Sequence, residues 1–167
     1  AVSAPLTAPD RRFRLRTAIG RDPNQAHRAA SPLELLFDLA FVVAFAQAGD
    51  QVAHAVADGH IATAVTAFSF IVIAVCWAWT SYSWFASAFD PDDWFHRVLT
   101  MVQMVGVVIL ALGIPAVFHS IDAGEPMDFR VLAVGYVVMR ISMVVMWLRV
   151  ALQDPANRRT ALLYIVF

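Results

Sequence analysis

The chain has 167 residues, of which 60% are hydrophobic and 15% are charged, and its net charge at neutral pH is −1. An ordinary soluble domain is roughly 45–50% apolar, so this composition is typical of a membrane protein rather than a soluble one. The single cysteine excludes a disulfide framework within the chain and a metal site built from several cysteines.

The first 30 residues predict a basic tail outside the membrane. They contain six of the 12 arginines and no apolar run, and no signal peptide is visible. A basic tail could bind nucleic acid. Beside membrane spans, however, the arginines are better explained as a topology signal that faces the cytoplasm and contacts anionic lipid. We therefore predict a cytoplasmic N-terminus and no nucleic-acid partner.

A short polar stretch opens the first apolar run. Ser31, Pro32 and Glu34 have the spacing of a capping box with proline at the first helical position, which predicts a helix N-terminus. Asp38 follows on the same helix face, roughly 9 Å along the axis at 1.5 Å per residue, which is too far for a cap. A carboxylate there needs a buried partner, a water-filled cavity or a proton.

The remaining domain, residues 31–167, predicts an all-α, polytopic transmembrane helix bundle. Residues 61–89 contain no charged residue, and 98–121 contain only His119. Both runs exceed the roughly 18 apolar residues that indicate a membrane span. The last run is too short to cross, so we expect a fragment that ends inside its fifth span. The predicted spans are 33–57, 61–86, 97–119 and 130–152, with a fifth beginning at 160–167.

The placement of arginine predicts the orientation of these spans. Arginines precede the first span and follow the second and fourth, whereas the connection at 50–60 has none. Since cytoplasmic loops carry the excess of arginine, the first and third connections lie outside. We predict a protein of the bacterial inner membrane with its N-terminus in the cytoplasm.

Arg140 is the predicted partner of Asp38. It lies midway along the fourth span, with nine uncharged residues before it and eight after it. A guanidinium at that depth faces protein or water, and its long side chain can reach toward the cytoplasmic side. We predict a buried polar cluster of Glu34, Asp38 and Arg140, with an ion pair between the last two. The residues favour a structural clasp between spans over a gated ion or proton site.

The segment Asp90-Pro91-Asp92-Asp93 connects the second and third spans. Three acids could hold a divalent cation, but Asp followed by Pro, with two acids in the next turn, also indicates a helix N-terminus. Asp93 and Arg97 would then form an i,i+4 pair of favourable polarity. We interpret Asp90, Asp92, Asp93 and Arg97 as a cytoplasmic loop motif that starts the third helix, without a metal.

A polar stripe marks the far end of the first helix. It consists of Gln47, Gln51, His54 and Asp58, and His60 follows. A metal site is conceivable, but no third strong ligand has a characteristic spacing. We interpret the stripe as the solvated outer end of the helix and predict no metal and no cofactor.

Three blocks carry a family resemblance: residues 32–47 (PLELLFDLAFVVAFAQ), 77–93 (WAWTSYSWFASAFDPDD) with Arg97, and 135–140 (GYVVMR). In order and spacing they resemble the bacterial low temperature requirement protein A (LtrA) family. The resemblance covers about residues 28–150 and implies a longer multispan membrane protein. Where the family usually has Asn-Arg, this chain has Ser87-Ala88. Five residues match the family's polar motif positions: Glu34, Asp38, Asp90, Asp93 and Arg140.

The resemblance implies a role in membrane transport or membrane homeostasis during growth in the cold. One alternative is an ion channel, because Leu36-Phe37-Asp38 is similar to the first-helix motif of lysosome-type potassium channels. Such a channel would have Phe41 or Phe45 lining its pore. The other alternative is a structural, lipid-interacting protein without flux.

Nothing in the chain indicates an enzyme, because no nucleophile–base pair, phosphate loop or dinucleotide motif is present. The expected partners are the lipid bilayer, small ions and a second copy of the chain in a homo-oligomer.

Overall fold

The computed structural model describes residues 31–89 and 93–166, with side chains through Ile165. Five α-helices make up this part of the chain. They are α1 (Pro32–Ala57), α2 (Ile61–Ala88), α3 (Trp94–Asp122), α4 (Arg130–Gln153) and α5 (Arg158–Val166). The predicted basic tail and the loop residues Asp90 and Asp92 lie outside the described residues.

Helices α1 to α4 are each long and apolar enough to cross a membrane. The shortest, α4, has 24 residues and is about 36 Å long at 1.5 Å per residue, against a hydrocarbon core of roughly 30 Å. Their outer faces carry large apolar side chains, such as Ile73, Leu112 and Leu152, which are 67–73% exposed. Lipid, rather than water, suits these faces. The prediction of an all-α polytopic membrane fold is confirmed.

The start of α1 has the predicted local structure. Ser31 is the N-cap, Pro32 occupies the first turn, and the Ser31 hydroxyl accepts a hydrogen bond from the Glu34 backbone N–H at 3.2 Å. The Glu34 carboxylate in turn accepts from the Ser31 N–H at 3.3 Å. This reciprocal capping box satisfies two backbone donors that the helix itself leaves free.

The start of α3 differs from the prediction. The sequence interpretation placed the cap at Asp90, but α3 begins at Trp94 and its N-cap is Asp93, whose carboxylate accepts from the His96 N–H at 2.9 Å. Any of the three acids could have capped a helix from sequence alone, and the tertiary contacts of Asp93 described below select it. The helix also continues through Pro115 to Asp122, beyond the predicted end.

The core of the bundle is an antiparallel hairpin of α3 and α4. Of the most apolar window of α3, 50% is buried, against 22% for α1 and for α2. Gly106 and Gly113 face α4, and Gly135 faces α3, so the two backbones approach closely. In lipid, helix association gains little from the hydrophobic effect. Small residues stabilise such an interface instead, because they allow close van der Waals contact between the helices.

The other helices surround this hairpin. Helix α1 packs against α3 and α2, and α5 packs against α4. Phe37 of α1 lies against Tyr82 of α2, with ring centroids 3.8 Å apart. At the opposite end, His60 bonds to Asp122 at 2.9 Å and joins the α1–α2 connection to the end of α3. The helix starts and ends therefore alternate between two sides of the bundle.

The glycine contact predicts the effect of added volume. A Cβ at Gly135 would lie 2.6 Å from the Gly106 carbonyl oxygen and 2.7 Å from Leu110 Cα, and both are backbone atoms. We expect Gly135→Ala to lower the free energy of unfolding by about 1–3 kcal/mol because the helices must separate. Chemical unfolding in detergent, followed by circular dichroism, measures this.

Gly49→Ala is the matched control. It also lies inside a helix, but nothing lies within 4 Å of its added Cβ. We expect no loss and a gain of up to about 1 kcal/mol from helix propensity. Equal losses in the two variants would contradict the close-approach interpretation.

Candidate functional site

A cavity of about 470 Å³ lies between α2, α4 and α5. Its wall is apolar and aromatic, with one guanidinium and a few hydroxyls. The lining residues are Trp77, Thr80, Ser81, Trp84, Arg140, Trp147, Thr160, Leu163 and Tyr164. Sites for small molecules in proteins have this character, since they are mostly apolar with a few placed polar groups, and they measure roughly 300–1,000 Å³.

Ring contacts hold the aromatic wall in place. Trp147 and Tyr164 stack with centroids 4.6 Å apart and planes 7° from parallel. Trp84 meets the Tyr164 ring edge-on at 6.2 Å, and Phe85 meets Trp147 edge-on at 5.1 Å. The wall is therefore formed before any ligand arrives, which reduces the ordering cost of binding.

A tight turn places α5 at this wall. Asp154 accepts hydrogen bonds from the backbone N–H groups of Ala156 and Asn157 and from the Asn157 side chain, the last at 2.8 Å. The sequence Asp154-Pro155 is a turn pattern, because Asp bonds to the backbone ahead of it and Pro fixes φ. The turn brings Thr160, Leu163 and Tyr164 against α4, a placement that the sequence analysis did not predict.

Arg140 lies at the inner end of the cavity, near the middle of α4. It is ten residues after the helix start, about 15 Å at the rise of an α-helix. Its side chain is half-buried. Within residues 31–89 and 93–166, it makes no hydrogen bond or ion pair. A smaller cavity of about 20 Å³ beside it is lined by Gln103 and Tyr136 among others.

Asp38 lies elsewhere, so the predicted ion pair with Arg140 does not form. The Asp38 carboxylate accepts a hydrogen bond from the indole N–H of Trp79 at 2.8 Å. Arg140 lies beside Trp77 and Ser81, which are on the opposite face of α2. Both groups lie beside the same stretch of α2, but spacing along one helix does not give the direction in which a neighbouring helix lies.

A buried ion pair joins Asp93 to Arg149. The guanidinium makes a bidentate contact with the carboxylate, with Nη1 donating to Oδ1 at 3.0 Å and Nη2 donating to Oδ2. The side chains are 2% and 10% exposed, respectively. Arg149 also lies over the Phe95 ring, 5.3 Å from its centroid. This bidentate pair ties the start of α3 to the end of α4.

Arg149 was not among the predicted site residues. An arginine at the end of a long apolar run gives no sequence signal for a buried partner, because such side chains can reach the interface. The glycine positions in α3 and α4 carried the missing signal. An antiparallel hairpin aligned on Gly106 and Gly135 brings the start of α3 next to the end of α4, where Asp93 and Arg149 lie.

The chain matches the family model of the bacterial low temperature requirement A protein (LtrA) over residues 29–167. This protein belongs to the LtrA family. No curated protein and no solved structure matches the chain. Together with the four long apolar helices, the family identifies this chain as a multispan membrane protein.

The polar motif positions of this LtrA protein are spread over separate places. Glu34 belongs to the α1 capping box, Asp38 bonds to Trp79, and Asp93 caps α3 and pairs with Arg149. Arg140 alone of the described four lines the cavity. The functional role of each stays a prediction, as does that of Arg97, whose exposed side chain lies in the first turn of α3.

At the far end of the predicted polar stripe of this LtrA protein, His54 and Asp58 are exposed, whereas Gln47 and Gln51 are partly buried. His54 lies 3.7 Å from Asp50, and these side chains are 74% and 64% exposed. Among the described residues, no group of three or more His, Cys, Asp or Glu side chains could hold a metal ion.

The two phenylalanines of the channel alternative do not line a cavity described above. Phe41 is 2% exposed and belongs to the core, and Phe45 is partly buried against it. Phe37 and Phe41 contact each other with centroids 4.9 Å apart. These phenylalanines therefore pack against neighbouring side chains, whereas Leu36, Leu39 and Val43 of the same helix are exposed.

The Asp93–Arg149 pair predicts a large stability loss when one partner is removed. We expect Asp93→Asn to lower the free energy of unfolding of this LtrA protein by about 3–5 kcal/mol, because the guanidinium is left buried without its charge partner. Asp50→Asn, at an exposed contact, should change it by less than about 0.5 kcal/mol. Unfolding midpoints in the same detergent compare them. Similar midpoints would show that the pair does not stabilise the hairpin.

The opposite result is expected at Arg140. Because no described group pairs with it, we expect Arg140→Gln to leave the yield and unfolding midpoint of this LtrA protein unchanged or raised. Asp38→Asn should also have little effect, since the amide oxygen still accepts from Trp79. A loss at Arg140 as large as that of Asp93→Asn would restore the structural-clasp interpretation.

Proposed function

We propose that this LtrA protein is a membrane transport protein that binds its substrate at the Arg140 cavity and performs no covalent catalysis. One observation carries the proposal. A half-buried guanidinium at mid-span lines a preformed cavity, and no described residue neutralises it. Ionisable groups inside membrane spans most often mark the path of an ion or substrate.

The energetics favour a binding role for this arginine over a structural one. An arginine at the centre of a span costs about 2.5–3.5 kcal/mol on insertion scales. In the same helix Arg149 shows how this chain neutralises a structural charge, with a bidentate carboxylate and an aromatic ring. Arg140 has neither arrangement. A charge that the described fold leaves uncompensated is suited to binding and releasing an anion.

A ligand can enter the cavity through its exposed wall. Trp77, Trp84 and Leu163 are 55–60% exposed, although they line it. Within the described residues the cavity is therefore open on one side and runs from the middle of α4 toward the end of α2. A ligand can reach Arg140 along this side without separation of the α3–α4 hairpin.

The proposal places the protein in the bacterial inner membrane, with its N-terminus in the cytoplasm and lipid as its solvent. The six arginines before residue 30 support this orientation through the positive-inside rule. The end of α2, the turn at Asp154 and the open side of the cavity would then lie toward the cytoplasm. Small ions and a second copy of the chain remain proposed partners, and no nucleic acid is needed.

Flux in proteoliposomes tests the transport function. The chain is reconstituted with internal dyes or radiolabelled solutes covering small inorganic ions and small organic acids. We expect uptake of an anion that falls about tenfold or more in Arg140→Gln, because a charged hydrogen bond to the substrate is lost. Arg130→Gln is the control, since it removes an exposed charge from the end of the same helix.

The outcomes separate the candidate functions. Anion flux that depends on Arg140 but not on Arg130 supports transport through the cavity. Silence across the whole panel contradicts transport and supports the lipid-interacting alternative. Conductance that is independent of Arg140 but altered by reshaping Phe41 or Phe45 supports the channel alternative.

A further inference from the structure

We infer that the ligand of the Arg140 cavity is a monocarboxylate with an apolar body of medium length. The inference rests on the proposed function, since it names the substrate class of the same cavity. It depends on three features of the lining residues: a single cation, hydroxyls with free donors, and a rigid aromatic wall.

The charge at the cavity favours an anion with a single negative charge. Arg140 is the one charged side chain among the described residues that line the two cavities. A cation would be repelled, and a neutral ligand would leave the guanidinium unpaired in a membrane span. A dianion such as a phosphate monoester would bring a second charge without a partner, which a low-dielectric site disfavours.

The geometry of the guanidinium favours a carboxylate. Arginine presents paired N–H donors in a planar fork that matches the two oxygens of a carboxylate. The Asp93–Arg149 pair shows that the chain already uses this geometry for a carboxylate. The carboxylate of a bound ligand would form the same bidentate pair with Arg140.

Hydroxyls line the cavity at both the Arg140 level and the far part of the wall. The Ser81 hydroxyl donates to the Trp77 carbonyl at 2.8 Å, so its proton is already used. Thr80 and Thr160 also line the cavity, and within the described residues their hydroxyls make no hydrogen bond. Thr80 is next to Ser81, which lines the smaller cavity beside Arg140, and it can complete the head-group site. Thr160 lies one turn before Tyr164, in the far part of the cavity.

The aromatic wall selects the body of the ligand. Trp77 and Trp84 are seven residues apart on α2, as are Arg140 and Trp147 on α4, so each wall extends about 10 Å from the level of the guanidinium. Trp84, Trp147 and Tyr164 form its far part. A medium-chain acid would fill this space, whereas a phospholipid with two long chains would exceed a volume of about 470 Å³.

Tryptophan fluorescence tests the inference because three tryptophans line the cavity. The full chain in nanodiscs is titrated with decanoate that carries a terminal bromine, which quenches nearby indoles. Brominated decanol and brominated decylamine, of the same length, report partition into lipid. We expect saturable quenching by the carboxylate alone, with an apparent affinity about tenfold or more weaker in Arg140→Gln. Arg130→Gln should bind as the wild-type chain does.

A second variant keeps the Arg140 charge but reduces the volume of the cavity. Leu163→Trp adds volume at the open wall and leaves Arg140 in place. We expect it to weaken carboxylate binding while its unfolding midpoint stays near that of the wild-type chain. Unbrominated octanoate and decanoate added in water should compete with the probe. Fatty acid preloaded in the nanodisc lipid should compete as well if the ligand enters from the bilayer.

The experiments test the substrate inference and the transport function separately. Equal quenching by acid, alcohol and amine, or quenching unchanged in both Arg140→Gln and Leu163→Trp, would overturn the inference even if ion flux is measured. Charge-selective, saturable binding without flux of any solute would uphold the inference and overturn transport.

Discussion

The close contact between the backbones of α3 and α4 determines the rest of the structure. Three glycines remove the side chains that would hold the helices apart, and a Cβ at Gly113 would lie 2.9 Å from Leu132 Cα. Because this contact fixes the antiparallel register, it also fixes which side chains meet at either end of the hairpin. Asp93 meets Arg149 at one end, and buried Gln103 meets Met143 and Met146 along the way. The same rotation of α4 turns Arg140 toward α2 and α5.

The two arginines of α4 differ in how the described part of the chain surrounds them. Arg149 is held by two carboxylate oxygens and lies over a ring, so its desolvation is offset by contacts within the chain. Arg140 lies nine residues earlier, deeper in the span, beside open space. A protein in which every local choice served stability would give it a carboxylate partner. Among the described residues this charge has no partner, and for that reason we propose the Arg140 cavity as the binding site.

Much of the fold could be predicted from the sequence, and the site could be predicted only in part. Span length and apolarity are local properties, so the four long helices and the Ser31–Glu34 capping box followed from composition and spacing. Asp38 and Arg140 were singled out as charges in apolar helices, and both lie beside the same stretch of α2. Their pairing was wrong because it depends on the rotation of α1, α2 and α4 about their axes, which long-range packing sets. The place of α5 was missed because a nine-residue helix has no strong apolar pattern and owes its position to the Asp154 turn.

The position of α5 explains why the cavity exists. Trp147 and Tyr164 stack, which places the short helix against the end of α4, whereas the ring contact between α2 and α5 among the described residues is the Trp84–Tyr164 edge contact. Large rings that meet at their edges cannot fill the volume between three helices in the way that small side chains fill the α3–α4 contact. The bundle thus combines a tightly packed hairpin with a loosely filled corner, and the single unpaired cation of the described spans lies in that corner. A core that only needed stability would have the reverse arrangement, with the charge paired and the space filled.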